Sequence, residues 1–153
     1  MKAQFSNSIP VKILAVDDEK EITDLLVRHF TFLGYDIVGV NDPETALRMI
    51  EEGNYHIAII DIVMPGMDGL DLLKRVKTYN GGIKVIMITG YVTMHNVLTA
   101  MRYGADNVFF KPLNDLNKLE NAVIEAIDKI SMWRDILREL QALGKQEEAH
   151  ARD

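Results

Sequence analysis

Five short runs of β-branched and aliphatic residues, each separated from the next by an amphipathic stretch, constrain this chain more than any other feature. They fall at residues 11–16, 36–40, 57–60, 84–88 and 107–110. Several are almost wholly apolar rather than alternating. Strands covered on both faces read that way, and a parallel sheet sandwiched between helix layers supplies that cover.

The intervening stretches carry helical spacing at residues 20–33, 43–52, 69–79, 94–103 and from about 115 onward. Their punctuation agrees: Asp42-Pro43 offers a capping carboxylate before the residue best tolerated at a first helical position, and Gly34, Gly53 and Gly104 stand where helices should stop. Five βα units result. A closed eight-unit barrel would need roughly 250 residues, so an open, doubly wound five-stranded parallel sheet is expected, with helices on both faces. At 153 residues the chain suits one domain with an appendage. Residues 1–10 read as a loose tail, 11–130 as the domain, and 131–153 as a helical extension and tail.

In open sheets of this kind ligands bind beyond the carboxyl ends of the strands. Here the first run leads into Asp17-Asp18, the third into Asp61, the fourth into Thr89 and the fifth into Lys111-Pro112. Taken singly, each has an ordinary structural reading. An Asp-Asp pair can cap a helix, Asp61 can be a loop acid, Thr89-Gly90 can be turn chemistry, and Lys111 can be a solvated lysine. Their recurrence at successive strand ends is harder to dismiss. If the first and third strands are neighbours, as in the common order 2-1-3-4-5, three carboxylates meet in one cleft. Two carboxylates about 5 Å apart repel by roughly 3 kcal/mol at an effective dielectric of 20, so a proton or a cation must relieve them.

Oxygen ligands with water suit magnesium, and no histidine or cysteine is placed to favour a softer metal. A hard divalent cation would neutralise phosphoryl oxygens during attack by Asp61, since carboxylates are known nucleophiles of this type. Lys111 supplies a mobile positive charge and Thr89 a neutral hydroxyl for the same group.

The segments ILAVDDE, IAIIDIVMPGMDGLDLL, VIMITG and GADNVFFKPL together closely resemble the receiver domains of two-component response regulators, over about residues 11–130. The resemblance implies the flavodoxin-like version of the doubly wound fold. It implies Asp61 as phosphoacceptor, Asp17 and Asp18 as acidic metal-site residues, with Asp18 the direct ligand, and a further ligand in the backbone carbonyl of Val63. It implies Thr89 as switch hydroxyl, Lys111 as phosphoryl contact and a cis Lys111-Pro112 bond, X-Pro being where that isomer is affordable. Partners implied are a sensor histidine kinase or a histidine phosphotransfer protein, and a downstream protein reading the surface from Met94 to Phe110.

One position departs from the pattern. Many receivers carry a switch aromatic three residues before the lysine, where this chain has Val108. Phe110 shares a strand face with Val108 and is expected as a buried core residue, with substitution for the aromatic as the alternative. Val63 and Tyr91 lie two residues beyond Asp61 and Thr89, where bulky apolar cover is expected to slow water and lengthen the life of the phosphorylated state.

The net charge of −6 provides no basic footprint for nucleic-acid backbone, so direct contact with nucleic acid is not expected. The absence of cysteine fits a reducing compartment, and with no apolar run long enough to span a membrane the cytoplasm is the expected location. Only 41 residues follow Pro112, which suggests a stand-alone receiver. Their apolar positions nonetheless step by three and four through Leu116, Leu119, Val123, Ala126, Ile130, Trp133, Leu137 and Leu140. A helix reaching Leu140 would project beyond the sheet, and Ile130, Trp133, Leu137 and Leu140 are expected to form a homodimer seam, against a tail folded back on its own domain or a truncated linker.

Three functions compete. The first is a phosphorylation-controlled switch, either terminal or a phosphorelay intermediate. An aspartate-nucleophile phosphohydrolase is disfavoured because Val63 stands where such enzymes carry a second aspartate. A phosphorylation-independent dimerisation scaffold has no need of a costly carboxylate cluster.

Overall fold

The computed structural model describes residues 10–91 and 93–152. The expected N-terminal tail therefore lies, apart from Pro10, outside the described residues. Five strands, β1 (Lys12–Val16), β2 (Asp36–Val40), β3 (Ile57–Asp61), β4 (Lys84–Thr89) and β5 (Asn107–Phe110), alternate with five helices, α1 (Lys20–Phe32), α2 (Pro43–Glu52), α3 (Gly69–Tyr79), α4 (Met94–Arg102) and α5 (Leu116–Ala151). All strand pairs are parallel and the order is β2-β1-β3-β4-β5.

Alternation along each central strand divides the core into two layers. Leu14, Val16, Ala58, Ile60, Val85 and Met87 face Ala46 and Ile50 of α2, Leu72, Leu73 and Val76 of α3, and Ala100 of α4. Ile13, Ala15, Ile57, Ile59, Ile86 and Ile88 face Leu26 and Phe30 of α1 and Leu119, Val123, Ala126 and Ile127 of α5. Burial of both faces is why, after an opening lysine in β1 and β4, the central runs contain no polar residue until the strands end. Each fully buried aliphatic side chain contributes on the order of 1.5–3 kcal/mol.

The cap predicted at Asp42-Pro43 forms, and α3 and α4 carry side-chain caps of their own. Asp42 accepts from Thr45 N at 2.9 Å with Pro43 at the first turn, Asp68 accepts from Asp71 N at 2.9 Å, and Thr93 accepts from Asn96 N at 3.1 Å. Gly34 and Gly104 follow α1 and α4 with φ of 94° and 91°, the left-handed conformation that ends a helix without a Cβ penalty.

Two expectations need correction. Helix α5 runs unbroken through residue 130 and on to Ala151, past the expected end near Leu140, and it does not fold back. Gln, Ala, Lys and Glu after Leu140 all favour helix, and the lone Gly144 costs only about 1 kcal/mol. Phe110 is not core: it is 51% exposed. It ends an edge strand paired on one side only, whereas Val108 and Phe109 pack partly against the two core layers.

Candidate functional site

The carboxyl ends of β1, β3, β4 and β5 meet on one edge of the sheet. Backbone bonds lock their exits together: Asp17 N donates to Val40 O (3.1 Å), Ile62 N to Ile88 O (3.1 Å), and Lys111 N to Thr89 O (2.8 Å). Asn41, just past β2, braces the first exit by donating to Asp17 O (2.8 Å) and to the Thr23 hydroxyl (2.9 Å). The third exit is tightened by Gly69. Its N–H donates to Ile62 O at 2.7 Å, and a Cβ there would stand 1.8 Å from the Asp61 carbonyl oxygen. Only glycine lets α3 start this close to the strand end.

These constraints bring Asp17, Asp18 and Asp61 together, each offering an oxygen within 4.8 Å of the others. Asp17 and Asp61 are 2% and 4% exposed, while Asp18 is open to solvent. Lys111 enters from β5, its Nζ 2.9 Å from Asp17, 3.1 Å from Glu19 and 3.4 Å from Asp61. The second Asp17 oxygen accepts from Glu19 N at 2.9 Å, and a backbone N–H from Val63 reaches the Asp61 carboxylate.

The electrostatics follow. Burial, then the neighbouring Asp17 charge, pushes Asp61 up to about 6, against the opposing pull of Lys111. Asp17 is also raised by burial, with its bonds to Lys111 and to Glu19 N working the other way. Burial alone would lower the Lys111 ammonium, but its bonds to Asp17 and Glu19 outweigh that and raise it.

The donor set is all oxygen. Lys111 pairs with two of the three clustered carboxylates, Asp17 and Asp61, and is shared with Glu19 as well, so the cluster keeps an excess of negative charge that a divalent cation would offset. Among the described residues no other cluster of three His, Cys, Asp or Glu side chains is placed to hold an ion.

Thr89 is fully buried, and its hydroxyl is engaged within its own turn: it donates to Tyr91 O (3.1 Å) and accepts from Tyr91 N (3.0 Å). The Lys111-Pro112 bond is cis, as expected. Val63 and Tyr91, both more than half exposed, line a cleft next to Asp61 with Ile62, Met64, Asp68, Leu70 and Asn96. Glu19 and Asn41 were not singled out from the sequence. Glu19 is the third acid of VDDE, and Asn41 is a polar residue at the end of β2. Both signals were present, but a cap or a loop reading absorbs each equally well.

Comparison with known proteins settles the family. The response regulator receiver domain matches residues 13–124. This chain belongs to that family. It is 33% identical over 133 residues to the regulatory protein AtoC of Escherichia coli (strain K12), covering 87% of this chain and 29% of that protein. It is 28% identical over 122 residues to the probable transcriptional regulator ycf27 of Porphyridium aerugineum, covering 78% and 50%. The chain thus spans half or less of these curated relatives, so its acidic balance describes this segment and not proteins of their length.

Among solved structures, a CheY-like response regulator receiver domain protein from Methanospirillum hungatei JF-1 is similar at TM-score 0.77 and 31% identity, covering 81% of this chain and 98% of that one. The response regulator TrrA from Thermotoga maritima, solved in complex with Mg(2+)-BeF, is similar at TM-score 0.69 and 32% identity, covering 76% and 98%. A receiver domain is a phosphoacceptor module of two-component signalling, and it works with histidine kinases or phosphotransfer proteins. Among the described residues no helix is long and apolar enough to cross a membrane.

Proposed function

We propose that Asp61 accepts a phosphoryl group from a phosphohistidine on a sensor histidine kinase or histidine phosphotransfer protein, and that this changes the affinity of the chain for a downstream protein. The observation that carries this reading is the meeting of Asp17, Asp18 and Asp61 with Lys111 at one sheet edge. An Asp61 oxygen forms the new bond to phosphorus while the P–N bond to the donor imidazole breaks; the imidazole leaves with the electron pair and takes a proton from solvent.

Magnesium fits the donor set, held by Asp17, Asp18, Asp61 and the Val63 carbonyl; when bound it supplies charge neutralisation at the phosphoryl oxygens. Lys111 transfers its ammonium from Asp61 to those oxygens. The Thr89 hydroxyl exchanges its bond to Tyr91 O for a charged phosphoryl acceptor, which is the stronger partner. Release of Tyr91 then repositions the turn that leads toward α4. Met94, Leu98 and Met101 of α4 and Phe110 of β5 are exposed apolar residues beyond that turn, and they are the surface a partner reads. With Val108 in place of an aromatic, and Phe110 already at the surface, the switch rests on the Thr89 turn.

The chain promotes its own phosphorylation and dephosphorylation without turning over external substrates, since Val63 stands two residues after Asp61, where aspartate-nucleophile phosphohydrolases carry their acid/base aspartate. Helix α5 extends the reading to a second copy of the chain. Ile130 still packs against the core, but Trp133, Leu137 and Leu140 continue the same three-four steps with nothing over them, which is the pattern of a two-stranded seam.

Incubation with magnesium and a small acyl phosphate, followed by intact mass measurement, tests the central claim. One phosphoryl group is expected on the parent and none on Asp61→Asn. An unmodified parent, or an equally modified variant, would refute it.

A further inference from the structure

Glu19 occupies the N-cap of α1, where a side chain ordinarily serves the helix by accepting from its first free N–H groups. It does not do so here. The cap makes no side-chain bond; only the Glu19 carbonyl accepts, from Ile22 N and Thr23 N. The carboxylate instead reaches across to Lys111, 92 residues away, at 3.1 Å.

That placement matters because Lys111 has three N–H donors and three carboxylates around it. Two of the three belong to the reaction itself. Asp61 gives up its free carboxylate when it is phosphorylated, and Asp17 is one of the residues that would hold a cation. Glu19 lies outside the three-carboxylate cluster and is 59% exposed, so it keeps its charge and its access to the ammonium throughout. It is also a negative charge at the mouth of a site that must admit an anion.

We propose that Glu19 is the resting-state counter-ion of Lys111, which an incoming phosphoryl group must displace, and that it thereby sets how readily Asp61 is phosphorylated. It is a positioning residue that acts through Lys111, and the inference rests on Asp61 being the acceptor. The step it governs is balanced as before: with an acyl phosphate donor, an Asp61 oxygen bonds to phosphorus, the P–O bond to the acyl group breaks, and the carboxylate leaves with the electron pair.

The test uses the full chain with magnesium and acetyl phosphate, following the phosphorylated fraction by intact mass at several ionic strengths. Glu19→Gln keeps shape and hydrogen bonding but removes the charge. It is expected to phosphorylate about 2- to 10-fold faster than the parent at low salt, with the gain shrinking as salt is added. Glu21→Gln, two residues further on in the first turn of α1 and also exposed, removes the same formal charge without touching Lys111 and is expected to stay at the parental rate. A Glu19→Gln rate equal to or below the parent overturns the proposal, as does equal acceleration in Glu21→Gln, which would reduce the effect to net charge. If the parent gains no phosphoryl group the acceptor reading falls and takes this inference with it. A phosphorylated parent with an unaccelerated Glu19→Gln overturns this inference alone.

Discussion

At the scale of single residues, the Asp61 carboxylate is a buried charge that the fold holds at a cost in stability. Its folded pKa of about 6 lies above the ordinary carboxylate value of 3.8. Below about pH 4 the group is protonated folded and unfolded, and it costs nothing. Between about 4 and 6 the folded state binds more protons than the unfolded one, so stability falls as pH rises; above that the penalty is complete. Asp61→Asn is therefore expected to stabilise the chain by about 1–3 kcal/mol at pH 7.5 and by little at pH 4. Urea unfolding at the two pH values measures this, and a variant no more stable than the parent at pH 7.5 would contradict it.

Val63 poses the opposite question, since its cost or benefit appears only after phosphorylation. The residue lines the cleft next to Asp61 together with Tyr91. Val63→Asn would replace an apolar cover with a group able to hold an attacking water, and phosphate loss is expected to quicken by about 3- to 30-fold, a change of roughly 0.7–2 kcal/mol in barrier. Decay of the phosphorylated mass after donor removal decides it, with equal or slower loss counting against the shield. The placement of Asp17, Asp18, Asp61, Thr89 and Lys111 at strand ends is legible in the sequence, because each follows an apolar run at the one edge where such sheets place ligands. Glu19 was not, since nothing in VDDE tells which acid turns toward a lysine 92 residues on. Phe110 was misread for a related reason: strand alternation gives a face but not whether a helix covers it there.

At the scale of elements, the strands were placed to within a residue or so because both-face burial forbids polar residues until the strand ends. Helix α5 was harder to bound. Its first half is fixed by packing of Leu119, Val123, Ala126 and Ile127, but its second half rests on propensity, which sets no sharp stop. At 36 residues it is about 54 Å long, well over what a small sheet can cover. The exposed continuation at Trp133, Leu137 and Leu140 makes a clear demand. If two copies pair there, Leu137→Glu places like charges in the seam and should convert a concentration-dependent dimer to a monomer in sedimentation without changing the helical signal. A parent that sediments as a monomer at every concentration would dispose of the seam.

At the scale of the whole molecule, the site is a junction of four chain segments, so anything that neutralises it should stabilise all of them together. A cation bound by folded Asp17, Asp18 and Asp61 but not by the unfolded chain adds RT ln(1 + [L]/Kd), about 1.4 kcal/mol at ten times Kd. For a chain of this size that is a rise of about 3–6 °C in melting temperature. The rise should be larger at pH 7.5 than at pH 5, because at the lower value a cation must first displace the proton that Asp61, with its pKa of about 6, retains. Asp61→Asn should lose most of the rise, since one of the three converging carboxylates and much of the uncompensated charge are gone. Thermal unfolding of both proteins with and without magnesium at the two pH values tests the coupling between site and fold. Equal shifts in parent and variant would mean that the ion acts elsewhere and that the carboxylates at the sheet edge do not hold it.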